Sequence, residues 1–208
     1  MLTIVKIDTK SIVYSRNVVE FATVAREYCA FLENVKTHNR KSFITASQKL
    51  LPLLYYKASL LPETEPIYDD GNEKFVSEDF YFDIQNNLKE ILRSHDDFLE
   101  IYDPRANEGD GVYTVSISEY LTDVWQDLKN FTMLYQVGNA EVMNDALWEC
   151  RTNFQEYWGI RLANAIRAMH FLLFSGIDLE QTDESKEEKK ENDTSNWFIT
   201  RRQNDLNS

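Results

Sequence analysis

The stretch that decides the fold is SISEYLTDVWQDLKNFTMLYQVGNA, residues 116–140. It begins with the capping-box spacing, in which Ser116 and Glu119 satisfy each other's backbone donors. Apolar residues then recur every three or four positions, which is the period of one face of an α-helix. Gly138 ends this helix and Asn139 caps the next one. These signals predict two helices that are joined by a short turn and therefore pack antiparallel as a hairpin.

The same period predicts three further helices before this hairpin. They lie at residues 13–35, 41–60 and 77 to about 92. Pro52 predicts a kink or a fresh start in the second of them, because proline has no backbone donor. The segment 94–102 is interpreted as either more helix or a short turn. The last helix is predicted over 140–174, and Gly159 is its one residue of low helix propensity. The predicted fold class is all-α, a five-helix up-and-down type bundle with a long C-terminal helical hairpin.

The composition divides the chain into a body and a tail. The net charge over all 208 residues is −13, and residues 178–208 contribute nine acids and five bases to it. The polar run up to Ser195 is typical of a solvated linker. We predict a helical bundle domain over 1–177 and an acidic, largely disordered tail over 178–208. The apolar patch Trp197-Phe198-Ile199 in this tail could dock onto the body or a partner, although a partly ordered terminus is the simpler interpretation.

Charge and cysteine usage limit the function. An acidic body repels phosphate backbones and anionic lipid surfaces, so we expect no nucleic-acid binding and no membrane binding. Cys29 and Cys150 fall in apolar helical patterns, which predicts small buried hydrophobic residues in a reducing compartment. Residues 1–7 are too few for a signal peptide, and the longest apolar run, 50–56, is far shorter than a membrane span. We therefore expect a cytoplasmic protein.

One polar contact is predicted on the inner face of the hairpin. A helical wheel places Arg151 within about 20° of the centre of the apolar face of the last helix, and Arg161 at its edge. On the preceding helix, Asp127 lies about 60° and Asp123 about 100° from the centre of the apolar face. Asp127 and Arg151 are similarly distant from the turn, so we expect a bidentate contact between them, with Asp123 nearby. The aromatic and polar neighbours of this predicted cluster are Trp148, Gln155 and Trp158.

Two interpretations of this cluster remain open. It is either an inter-helix lock that fixes the register, or a pocket in which Asp123 and Asp127 bind a divalent cation or Arg151 binds an anion. A metal pocket would fit a phosphohydrolase or a nucleotide pyrophosphatase-like enzyme. Asp97 and Glu100 have the spacing of a second carboxylate pair, although a solvated helix end is the simpler interpretation of these two residues. Zinc is excluded by ligand count, and the chain has no Gly-rich phosphate loop, no Gly-x-Ser-x-Gly elbow and no Cys/His nucleophile pair.

The histidines offer a weaker signal. His38, His95-Asp96 and Asp123 follow the His…His-Asp…Asp order of helical metal phosphohydrolases. A chance His-Asp pair is expected in a chain so rich in aspartate, and His95 falls near a fraying helix end. His170 is interpreted as a structural histidine on the flank of the last helix.

Two segments, EYLTDVWQDLKNF (119–131) and ALWECRTNFQEYWGIRLANAIRAMH (146–170), resemble a bacterial family that is known only as a domain of unknown function. The matching positions in this chain are Asp103-Pro104, Asp123, Asp127, Leu128, Lys129, Trp148, Arg151, Trp158, Gly159, Arg167 and His170. The chain departs from the family pattern at Cys150, and at Tyr157, where other members carry a histidine. The resemblance covers most of residues 15–175 and implies a fold, but no reaction.

The expected function is therefore a non-enzymatic protein-interaction module that acts through a groove or through its acidic tail. We expect a monomer or weak dimer with a protein partner and without a cofactor. The alternative is a divalent-metal-dependent hydrolase on a helical bundle, with Mg or Mn held by Asp123 and Asp127.

Overall fold

The computed structural model describes residues 9–101 and 112–180, and most of these residues are helical. The helices are α1 (Thr9–Val13), α2 (Arg16–Glu33), α3 (Arg40–Ser59), α4 (Glu78–Leu92), α5 (Ile117–Gln136), α6 (Ala140–Asn153) and α7 (Gly159–Phe174). The strands β1 (Asp97–Ile101) and β2 (Val112–Ser116) pair antiparallel, with Asp97 opposite Ser116. The predicted all-α class is confirmed, with one small β-hairpin added to it.

The predicted helix positions agree with the structure within a few residues, with two exceptions. There is no fresh start at Pro52, because α3 runs through this proline as one helix; the alternative, a kink, stays a prediction. In the segment 94–102, Arg93–His95 forms a short 3₁₀ helix, but the predicted helix or turn is wrong for Asp97–Ile101, which is a strand. Its partner strand carries the run Val112–Val115, whose β-branched and aromatic residues favour a strand. Asp103-Pro104 and the rest of the segment 102–111 lie outside the described residues.

Helix α5 lies at the centre of the bundle and contacts α2, α4, α6 and α7. Its predicted apolar face is buried, but so are Leu121 and Trp125, which have no exposed surface. Polar residues of α5 are buried as well, including Ser118, Thr122 and Asp123. A helix that is covered on nearly all sides leaves its polar side chains without water, so each of them needs a protein partner.

The hairpin turn forms as the sequence predicts. Gly138 has a φ of +77°, a conformation that glycine adopts without strain. The Asn139 side chain accepts hydrogen bonds from the backbone N–H groups of Glu141 (2.8 Å) and Val142 (3.3 Å). At the other end of α5, Ser116 accepts from the Glu119 N–H at 3.2 Å. These caps confirm the helix boundaries that define the hairpin.

The long last helix contains a π turn, Phe154–Trp158, that separates α6 from α7. The Gly159 N–H donates to the Phe154 carbonyl, five residues back instead of four. The one extra residue in this turn rotates all later side chains by about 100° relative to the earlier ones. The apolar face of α6 and that of α7 therefore do not fall on one continuous helical wheel.

Core packing extends slightly beyond the predicted body. Cys29 and Cys150 are free and buried, as expected. Leu179 is also in the hydrophobic core, although it falls in the segment predicted as tail. Residues 1–8 and 181–208, with the Trp197 patch, lie outside the described residues. Where the structure describes the chain, none of its helices combines the length and the apolar character that crossing a membrane requires.

We expect Gly159→Ala to lower the free energy of unfolding by about 1–3 kcal/mol, as an overpacked core substitution does. A Cβ atom at this position would lie 2.3 Å from the Phe154 carbonyl oxygen and 3.0 Å from its ring. In a regular helix the same change would stabilise the protein by about 1 kcal/mol. Urea unfolding followed by circular dichroism measures the difference. Glu156→Ala, at an exposed position of the same turn, is the control, and a stabilised Gly159→Ala variant would contradict the π turn.

Candidate functional site

The predicted contact between Asp127 and Arg151 does not form. Arg151 Nη2 donates instead to Glu63 Oε1 at 2.8 Å, and Asp127 Oδ1 accepts from Asn153 Nδ2 at 2.6 Å. The wheel placed Arg151 at the centre of the apolar face because it averaged the residues before and after the π turn. On α6 alone, Arg151 lies beside the apolar face, so it reaches a different partner.

That partner belongs to the loop between α3 and α4, which crosses the outside of α6. Asp145, a buried residue of α6, accepts hydrogen bonds from the backbone N–H groups of Ile67 and Tyr68, both at 2.8 Å. Asn130 of α5 accepts from the N–H of Phe75 at 2.7 Å. These bonds hold the loop in place. A loop partner such as Glu63 could not be found from helix periodicity, because the loop has no period.

Asp123 is paired with Arg161 instead. Arg161 Nε donates to Asp123 Oδ2 at 2.7 Å, and the Tyr81 hydroxyl donates to Asp123 Oδ1 at 2.8 Å. Only 6% of Asp123 is exposed, so the carboxylate is buried. Each of its two oxygens accepts a hydrogen bond, one from α4 and one from α7. The guanidinium lies 3.9 Å from the ring centre of Tyr157 and 5.3 Å from that of Tyr120. Such stacking stabilises a partly desolvated cation.

A second carboxylate connects the β-hairpin to the same helices. Glu100 of β1 accepts hydrogen bonds from the Tyr120 hydroxyl of α5 and from the Asn164 amide of α7. Burial raises the pKa of Tyr120, and its bond to Glu100 adds to this effect, so the hydroxyl keeps its proton. Asp97 and Glu100 therefore do not act together as a second carboxylate pair. Glu100 accepts hydrogen bonds from Tyr120 and Asn164, whereas Asp97 is exposed.

Asp127, unlike Asp123, has no cationic hydrogen-bond partner within the part of the chain that the structure describes. Burial raises its pKa to about 6, although the Asn153 amide and the Lys74 charge act in the opposite direction. The three other residues of the predicted cluster differ in how deeply they are buried. Trp158 is fully buried and its Nε1 donates to the Cys150 carbonyl at 3.3 Å, whereas Trp148 is half-buried and Gln155 is exposed.

The predicted His95-Asp96 motif has a structural explanation. Asp96 accepts hydrogen bonds from the Ser116 hydroxyl (2.8 Å) and from both the N–H and the hydroxyl of Ser118 (2.7 Å each). It therefore satisfies donors at the N-terminus of α5. Within residues 9–101 and 112–180, no three His, Cys, Asp or Glu side chains come close enough together to hold a metal ion.

A cleft of about 930 Å³ lies between the β-hairpin and the C-terminal part of α7. We call it the hairpin cleft, and its lining residues are Ser94, His95, Asp97, Phe98, Leu99, Ile117, Arg167, Ala168, His170, Phe171, Leu172, Ile177 and Asp178. Most of this lining is apolar. Leu99 is 61% exposed and Phe171 63% exposed, so two large apolar side chains meet water at the cleft. The sequence does not predict this cleft, because it does not predict the β-hairpin that forms one wall.

Two polar side chains of the hairpin cleft have partners within the protein. Arg167 Nη2 donates to the Leu99 carbonyl at 2.7 Å, and its guanidinium lies 5.7 Å from the Phe98 ring centre. These contacts brace β1 against α7. His170 Nδ1 lies 3.3 Å from the amide nitrogen of Gln48, a residue of α3 outside the cleft lining. The carboxylates of Asp97 and Asp178, both exposed, add negative charge to its rim.

We expect Asp127→Asn to raise the free energy of unfolding by about 1–2 kcal/mol at about pH 8. The folded protein ionises Asp127 at about pH 6, whereas the unfolded chain ionises it near pH 4. Wild-type stability therefore falls as the pH rises through this window, and the neutral amide avoids the loss. The advantage of the variant should shrink as the pH falls towards about 4. Urea unfolding at several pH values measures it.

Asp123→Asn, one helical turn earlier, is the matched variant with the opposite expected sign. It leaves the Arg161 guanidinium without its counter-charge, which should cost about 2–4 kcal/mol at neutral pH. If both asparagine variants lowered stability equally, the desolvation of Asp127 would not be the dominant effect at that position.

Comparison with known proteins agrees with this architecture. The family model described as "Domain of unknown function (DUF5063)" matches residues 12–175. The crystal structure of protein BF1032 from Bacteroides fragilis is similar, with a TM-score of 0.71 and 40% sequence identity, over 80% of this chain and 98% of that one. No curated protein matches. The predicted membership in a family of unknown function is confirmed: this chain belongs to the DUF5063 family.

Proposed function

We propose that this protein is a non-enzymatic interaction module and that the hairpin cleft is its binding surface, which takes an apolar segment of a partner protein. The observation that carries this proposal is the exposure of Leu99 and Phe171 on a mainly apolar cleft of about 930 Å³. Burying two such side chains against a partner contributes roughly 1.5–3 kcal/mol each. Apolar patches with polar rims are typical of protein-interaction sites.

The surroundings of the cleft support a macromolecular ligand. The apolar surface continues along α7 to Phe174, which is 65% exposed. Arg167 already binds the Leu99 carbonyl of the cleft wall, and His170 contacts Gln48 of α3 outside it. A partner would therefore bind an apolar surface beside an arginine that β1 already holds in place. Apolar cores with polar rims are the usual anatomy of protein–protein interfaces.

A divalent-metal-dependent hydrolase is the alternative function. Its Mg or Mn ligands would be Asp123 and Asp127. To bind a cation, Asp123 would have to release both Arg161 and Tyr81, and the partly buried guanidinium would lose its counter-charge. Breaking such a pair typically costs about 3–5 kcal/mol. The geometry of the described residues therefore supports the interaction module better than the hydrolase.

We expect Phe171→Asp to weaken partner binding more than about tenfold, because it removes an apolar anchor and places a charge in the interface. Captured proteins from the host lysate are compared for wild type and variant, and the affinity of the purified candidate partner is then measured by calorimetry. Tyr56→Asp is the matched control, because Tyr56 is 56% exposed but does not line the cleft. A partner that binds Phe171→Asp as tightly as wild type would overturn the proposal.

The same proteins distinguish the hydrolase. If MgCl₂ or MnCl₂ raised the melting temperature of the wild type but not of Asp123→Asn, a cation site at Asp123 would be favoured over the interaction module.

A further inference from the structure

The chain leaves the described body beside the hairpin cleft. Ile177 and Asp178 line the cleft, Leu179 packs into the core, and Glu180 forms an ion pair with Lys41 at 3.2 Å. Residues 181–208 continue from this point. Any apolar group in that segment is therefore tethered next to an apolar cleft.

The composition of this segment complements the cleft. Residues 181–196 are all polar or charged, and Trp197-Phe198-Ile199 is the first apolar run after them. Two aromatic residues and one aliphatic residue match a wall that includes Phe98, Leu99 and Phe171. Arg201 and Arg202 follow one residue after the apolar run. They supply positive charge that complements the carboxylates of Asp97 and Asp178 at the rim.

The connection is long enough for docking. From Glu180 to Trp197 there are 17 residue steps, which extend to at most about 55–60 Å. Only the width of the cleft has to be crossed, because the tether begins at its edge. A tether of this kind gives an effective concentration of about millimolar, so even a weak intrinsic affinity fills the cleft for a large part of the time.

We propose that Trp197-Phe198-Ile199 occupies the hairpin cleft of its own chain and competes with the partner protein there. The competitive role rests on the proposed function, whereas the docking itself does not. The family match ends at residue 175 and includes β1 and α7. The segment thus lies outside the matched domain and controls access to a surface of that domain.

The docking is tested by NMR on the full-length chain. Trp197→Ala/Phe198→Ala should shift the backbone amide signals of Leu99, Phe171 and Ile177, because the aromatic rings leave the cleft. Leu206→Ala, which removes another apolar side chain of the same segment, is the control and should leave them unchanged. Cleft signals that do not respond to the double variant would overturn the docking.

Dilution tests whether the segment in the cleft belongs to the same chain or to a second copy. An intramolecular contact gives wild-type spectra that are unchanged over a roughly tenfold range of protein concentration. Cleft signals that shift with concentration towards those of the double variant would assign the occupant to a second copy of the chain, and would overturn the intramolecular proposal.

The regulatory consequence is measured with the purified partner. Trp197→Ala/Phe198→Ala should tighten partner binding by about 2–10-fold, because the competing segment is removed, while Leu206→Ala should not. If Phe171→Asp weakens partner binding but the double variant leaves the amide signals of the cleft unchanged, the docking is overturned and the proposed function stands. If the double variant shifts those signals but no partner depends on Phe171, the docking stands and the proposed function fails.

Discussion

The burial of α5 on nearly all sides is the constraint on which the rest of the structure depends. A helix in the centre of a bundle cannot turn its polar residues towards water, so each must be satisfied by a neighbour. Asp123 requires both Arg161 and Tyr81, which fixes α7 and α4 against it. Asn130 binds the backbone of the loop that leads into α4. Polar contacts therefore join α5 to α4, to α7 and to the loop before α4.

The β-hairpin extends this arrangement outward and creates the hairpin cleft. Glu100 attaches β1 to α5 and α7 through Tyr120 and Asn164, and Arg167 binds the Leu99 carbonyl. These bonds hold the strand beside the end of α7 with a cleft between them. Leu99 and Phe171 of the cleft are largely exposed, and the carboxylates of Asp97 and Asp178 are exposed at its rim. The protein thus presents an apolar surface with polar edges, the kind of surface that proteins use to bind one another.

Local signals predicted most of the helices, whereas the π turn, the β-hairpin and the path of the loop before α4 were not predicted. The capping residues Ser116 and Asn139 and the stop at Gly138 gave the hairpin, because a cap depends only on its immediate neighbours. The Asp127–Arg151 contact failed because the wheel assumed a constant 100° per residue through the π turn. Gly159 was noticed only as a weak helix former. Its lack of a Cβ atom is instead what allows the Phe154 carbonyl to approach.

The sequence by itself determined most of the helices and the buried cysteines, because apolar period, caps and composition are local properties of the chain. Its motifs in the last two predicted helices also resembled the family to which the chain belongs. It also showed that charges on the inner face of the hairpin needed partners. Only the tertiary structure decided which partners those were: Arg161 for Asp123 and Glu63 for Arg151. It also decided that β1 stands against α7 and leaves a cleft. These contacts join residues that are distant in the chain, and they depend on helix rotation and loop path, which no local pattern encodes.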